Sequence, residues 1–126
     1  MLFTKTVTIT AAEIIAGGAV NFNIGVVGFY PLAIGASANL VFNSTPFGSN
    51  RDLLIVDSAG NVPVRLSNTL LTKTSDGFCG GLAATVVNDT GGATSGSGLW
   101  FEFSGGSTSG DSDVQVTVMY VLVPCV

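Results

Sequence analysis

The chain has no histidine, and only 10% of its 126 residues are charged, four Lys or Arg against eight Asp or Glu. A typical soluble domain carries about 25%. Without histidine the usual Ser-His and Cys-His nucleophile–base pairs cannot be built. With two cysteines 46 positions apart and no CxxC spacing, a zinc site lacks its ligands. The four cations, Lys5, Arg51, Arg65 and Lys73, are scattered along the chain. Displacing counterions from phosphates needs clustered cations, so neither nucleic acid nor an anionic membrane surface is an expected partner. A secretory leader is not expected either, because Met1-Leu2-Phe3-Thr4-Lys5 runs straight into alternating Thr and apolar residues.

Residues 14–50 carry no charge at all, and 25–42 match the length of a membrane span, about 20 residues. Pro31, Ser37 and Asn39 interrupt that stretch, while Val20, Phe22, Ile24 and Val26 alternate with small or polar residues as a strand does. A span is not expected.

What the chain does have is apolar mass. Apolar residues make up 47% of it, enough for the core of one domain over 1–126. Its polar residues are mostly Gly, Ser, Thr and Asn. Such a surface is wettable but weakly repulsive, and it suits a protein packed against copies of itself or other partners.

Period two dominates. A first strand is expected at 2–10, where Phe3, Lys5, Val7 and Ile9 alternate with threonines. Thr10-Ala11-Ala12-Glu13 has the spacing of a capping box and opens one helical turn, closed by Gly17-Gly18. Strands follow at 19–27 and 38–43, with Gly28-Phe29-Tyr30-Pro31 as a bend between them. Residues 52–66 read as a hairpin turning at 58–61, with Pro63 marking its second strand as an edge or a strand start. Further strands are expected at 68–74, 78–87, 99–103 and 114–123, separated by Gly/Ser loops at 88–98 and 104–112. About eight to ten short strands define an all-β protein, an antiparallel β-sandwich or a jelly-roll-like barrel with at most one short helical turn.

Chemistry has few places to reside. Asp111 and Asp113 could meet Asp89 or Asp76 around a calcium ion, but the spacing of a calcium loop is absent, and turn capping is the expected role. Asp52, Asp57 and Glu102 are too dispersed to specify a carboxylate pair. No catalytic residue, metal site or cofactor is expected. Trp100 with Tyr30 could stack on a sugar ring, although buried or interface anchoring is the commoner use of such residues. Cys79 and Cys125 read as small buried apolar residues rather than a disulfide. Two glycosylation sequons, at Asn43 and Asn88, matter only in a secreted protein.

From residue 118 to 123 both faces of the last strand are apolar, which calls for cover on both sides. Val118, Tyr120, Val121 and Val123, with Phe29 and Tyr30, are the expected interface residues. In its profile over the whole chain, short, poor in charge and rich in Gly, Ser and Thr, the sequence resembles small β-rich virion proteins of tailed bacteriophages, above all capsid decoration (cement) proteins. The resemblance implies a virion protein made in the host cytoplasm. It would sit on the outer capsid surface, contact the major capsid protein and bridge capsomers, self-associating as a homotrimer ahead of a dimer. The alternative is a binding module: a phage fibre or baseplate domain, or a secreted lectin-like sandwich.

Overall fold

Alternating apolar residues become strands wherever the chain can bury one face. In a computed structural model, which describes residues 1–58, 60–83, 95–103 and 109–125, they form eight strands and one helix. In chain order these are β1 (Phe3–Ile9), α1 (Ala11–Ala16), β2 (Gly18–Asn21), β3 (Phe29–Val41), β4 (Leu53–Asp57), β5 (Val64–Leu66), β6 (Gly77–Leu82), β7 (Leu99–Phe103) and β8 (Asp113–Pro124). They make two four-stranded antiparallel sheets, ordered β1-β8-β3-β6 and β2-β7-β4-β5. The sheets stay open and pack as a sandwich, so of the two architectures expected the barrel does not form. The chain changes sheet at every connection among the strands except the β4–β5 hairpin and returns at its end to pair with its beginning, Ile9 opposite Val114.

The core lies between the sheets. Val114, Val116 and Val118 of β8 point inward beside Ala36, Ala38 and Leu40 of β3. They face Leu53, Ile55, Leu99, Phe101 and Phe103 of the other sheet. Phe22, Ile14, Leu70 and Leu71 are also fully buried in this core. Burying each such side chain contributes roughly 1.5–3 kcal/mol. Where the sheet edges meet, Gly81 of β6 lies against β5; a Cβ there would sit 3.2 Å from the Arg65 carbonyl oxygen.

Local chemistry fixes the connections. Thr10 caps α1: the Glu13 N–H donates to Thr10 Oγ1 at 3.3 Å and the Thr10 N–H donates back to Glu13 Oε1 at 3.0 Å, a complete capping box. The β4–β5 turn is built on Asp57, whose carboxylate accepts from the Asn61 N–H at 2.9 Å, with Gly60 at φ 83.

Three expectations need correction. The strand expected over 19–27 stops at Asn21, because Asn23 turns left-handed (φ 58) with its N–H donated to Asn21 Oδ1 at 2.8 Å, while Phe22 and Ile24 remain buried. The bend expected at 28–31 is instead the start of β3, a strand that runs through Pro31. β6 pairs with β3 only over Gly35–Leu40, so on that side Pro31 faces no partner strand and its missing N–H costs no ladder bond. No strand forms over 68–74. Leu70 and Leu71 are both fully buried, which consecutive residues of a strand on a two-layer sheet do not achieve, and a turn closed by Lys73 N–H to the Leu70 carbonyl turns both inward. Of the Gly/Ser loops, only 95–98 and 109–112 fall within the described residues, as do only residues 78–83 of the strand expected over 78–87.

Candidate functional site

With both inner faces committed to the core, function falls to the outer faces and the loops. On the β8 sheet the register places Thr4, Thr6 and Thr8 of β1 outward, then Gln115, Thr117, Met119, Val121 and Val123 of β8. Their β3 neighbours are Asn39, Ser37, Gly35, Leu32 and Tyr30, and β6 adds Phe78, Gly80 and Leu82. The charge on this face of the ladder is Asp113, which precedes Gln115 on β8 and stands opposite Val41. Phe78 is 81% exposed, Leu82 77%, and Val41 at the end of β3 52%. A register shift between Ala33 and Gly35 leaves Ile34 outside the ladder and partly exposed. A Cβ on Gly35 would lie 2.7 Å from Met119 Cε and 3.3 Å from Leu82 Cδ2, so those two side chains converge over the glycine. Two apolar ends therefore flank a hydroxyl row in which Thr6 and Thr117 hydrogen-bond at 2.7 Å.

The expected interface residues divide between two faces. Tyr30 and Val123 are opposite each other on this outer face, and Val121 stands opposite Leu32. All are half-exposed. Val118 is fully buried between the sheets. Tyr120 lies on the inward side, half-buried and stacked on Phe3 with ring centroids 5.6 Å apart. Phe29 begins β3 opposite Pro124, and its carbonyl accepts from the Gly96 N–H at 3.0 Å. Period two identified the segment, but not which of its faces stays open.

The β7 sheet presents a different outer face. There Arg65, Leu54, Glu102 and Ala19 form one row and Val56, Trp100 and Asn21 the next. Beside Trp100 lies a shallow groove of about 450 Å³, bounded by the chain leaving β2, the segment entering β7 and Ser58 after β4. Trp100 and Tyr30 stand on different sheets, so the structure does not build the sugar platform that would use both.

Several of the acidic residues bond backbone N–H groups at turns and at the helix start. Asp111 accepts from the Thr45 N–H at 2.8 Å, the Ser44 N–H at 3.1 Å, the Asn43 amide at 2.8 Å and the Ser44 hydroxyl. The Ser44 hydroxyl, then the Thr45 and Ser44 N–H groups, hold its carboxyl down at about 2 against a small opposing effect of burial. Asp76 accepts from the Phe42 N–H at 2.8 Å and Asp113 from the Ala11 N–H at 3.1 Å. Asp89 lies outside the described residues. No group of three potential metal ligands gathers among the described residues. Glu102 and Asp57 are not brought together: the partner of Asp57 is Leu99, three residues from Glu102 along β7, which puts the two on opposite faces and about 10 Å apart in strand rise. Cys79 and Cys125 are free thiols, and burial pushes the Cys79 thiol up. The Asn43 amide of the first sequon is bonded to Asp111, and Asn88 of the second is outside the described residues. Among the described residues no helix is long and apolar enough to cross a membrane, and residues 29–41 of the apolar stretch are strand β3.

Eight antiparallel strands in this order define a jelly-roll sandwich, an architecture used by viral capsid and lectin domains among others. Neither the protein-family models nor the curated proteins give a match. Among solved structures, the chain is similar to a chain of the cyanophage Pam1 capsid asymmetric unit, with a TM-score of 0.51 and 16% identity over 98% of this chain and 84% of that one. A chain of the acidic stable capsid structure of Helicobacter pylori bacteriophage KHP30 aligns at a TM-score of 0.37 and 16% identity, over 100% and 99% of the two chains. At such identity the likeness to the Pam1 chain is one of fold.

Proposed function

We propose that this chain is a structural protein of a bacteriophage virion, bound to the outer capsid surface, where it stabilises contacts between capsomers and performs no catalysis. The observation that carries the reading is the weakly charged outer face of the β8 sheet, which exposes Phe78 and Leu82, continues into Ile34, Leu32, Val121 and Val123 at one end, and at the other ends on Val41 opposite Asp113. Large apolar side chains exposed at both ends of one sheet face mark a contact surface. The fold likeness to a capsid-derived chain and the low charge of the sequence agree with it.

The mechanism is mechanical. This face packs against neighbouring copies, a homotrimer ahead of a dimer, and against the major capsid protein. Covering Phe78 or Leu82 supplies roughly 1.5–3 kcal/mol each, and repetition of the contact around a shell multiplies a modest energy into a large one. Synthesis in the host cytoplasm fits the two unpaired thiols.

The test adds purified protein to heads that lack it and heats them. Co-sedimentation with heads and a higher temperature of DNA release are expected. If the heads release DNA at an unchanged temperature and the protein stays in the supernatant, the shell reading fails, and the fibre, baseplate or lectin-like module replaces it.

A further inference from the structure

On the opposite sheet from the apolar face, the groove beside Trp100 has a chemistry of its own. We propose that it binds a neutral saccharide. Strand alternation sends Leu99, Phe101 and Phe103 into the core and leaves Trp100 outside, half-exposed, between Asn21 and Val56. Around the indole stand the amides of Asn21 and Asn23 and the hydroxyls of Ser58 and Ser95. Among the described residues no charged side chain lines the groove. A sugar ring offers an apolar C–H face and a rim of hydroxyls, which match an aromatic wall bordered by amide and hydroxyl groups. A phosphate or carboxylate would find no cation here, and a purely apolar ligand would strand the amides. The volume, about 450 Å³, falls within the ordinary range for small-molecule sites, roughly 300–1,000 Å³.

The groove is also held in shape without a ligand. The Gly28 N–H donates to Ser95 Oγ at 2.6 Å, the Gly98 N–H to Ser58 Oγ at 3.1 Å and the Asn23 N–H to Asn21 Oδ1 at 2.8 Å. These bonds tie together the three segments that form its walls, so little ordering is left to be done on binding. Gly98 keeps the space at the ring open. A Cβ there would stand 3.4 Å from Trp100 Cη2 and 3.7 Å from Asn21 Oδ1. The saccharide site does not depend on the shell reading. If both hold, each virion carries many such grooves, and weak individual sites bind a glycan-coated surface with avidity.

Trp100 is the one tryptophan of the chain, so its emission reports the groove directly. The full chain is titrated to millimolar concentration with cellotetraose, maltotetraose, mannotetraose and chitotetraose, and with tetragalacturonate as the anionic counterpart. Indole fluorescence and backbone amide resonances are followed. A saturable change in emission with at least one neutral tetrasaccharide, with resonance shifts confined to residues 21–25, 56–58 and 95–100, is expected. Trp100→Ala, read by the resonances, should weaken binding about tenfold or more. Asn23→Gly removes the amide while keeping a residue suited to φ 58, so loss of binding with unchanged circular dichroism separates recognition from folding. The proposal is overturned if no neutral tetrasaccharide changes the emission, if binding survives both substitutions undiminished, or if tetragalacturonate binds equally well.

Discussion

The two sheets of this sandwich share one interior and present opposite exteriors. Outside the β8 sheet, Asp113 at one end is the charged ladder residue and several large apolar side chains lie open. Outside the β7 sheet, Arg65 and Glu102 flank Leu54 in one row, and the next leads from Trp100 into a polar groove. The buried inward strand residues are apolar on both. Stability therefore comes from a common source, while each exterior is free to serve a different contact, broad and apolar on one side, concave and hydrogen-bonding on the other.

The largest effect should come from striking the shared interior. Val118 and Val121 stand on the same strand with opposite facing. Val118→Asp would bury an unpaired carboxylate in the core, a cost of several kcal/mol, and should leave no cooperative unfolding transition. Val121→Asp should leave a folded monomer with a normal thermal transition but abolish self-association in sedimentation. Equal damage from the two would break the distinction between inner and outer face.

Next comes Gly110, which enters β8 at φ 132. A Cβ there would overlap the ring of buried Phe47. Gly110→Ala combines a strained backbone with a clash against a packed aromatic, and roughly 2–4 kcal/mol should be lost in urea unfolding. Both exteriors suffer alike, since neither face is touched directly.

The exteriors separate with milder changes. The double variant Phe78→Ser, Leu82→Ser should alter the monomer's stability by no more than about 0.5 kcal/mol, yet remove binding to heads. Arg65→Ser, on the other sheet, should leave head binding intact. The reverse pattern would assign the shell contact to the β7 sheet.

The smallest effect at neutral pH, and one confined to acid, concerns Asp111. Its folded carboxyl titrates at about 2 against an ordinary 3.8. A depressed carboxylate stabilises the fold above its unfolded value, and that contribution is lost as pH falls through the folded one. The melting temperature should therefore drop between about pH 4 and about pH 2. Asp111→Asn should flatten this dependence without altering either outer face.

Much of the fold was legible in the residues because a strand is written locally. Alternation marked β1 and the first half of β8, short apolar runs between turn signals marked β4 and β7, and the Thr10–Glu13 spacing marked α1, because each signal lies within a few positions of the chain. The errors fell where a distant partner decided the matter. Pro31 reads as a bend until β6 is seen to stop short of it. Leu70 and Leu71 read as strand until the end of the core is there to take them both. Val118 and Val121 look alike in the sequence, and only the pairing of β8 between β1 and β3 gives one to the core and the other to solvent.

By itself, then, the sequence determined an all-β chain with an apolar core, weak charge and no histidine chemistry, since composition and period need no knowledge of neighbours. The tertiary structure alone decided the jelly-roll order, the open apolar face around Phe78 and Leu82, and the meeting of Asn21, Ser58 and Trp100 from three separate stretches of chain. The physical reason is that sheet pairing joins residues far apart along the chain. The side chains that share a surface are set by that register and not by their order in the sequence.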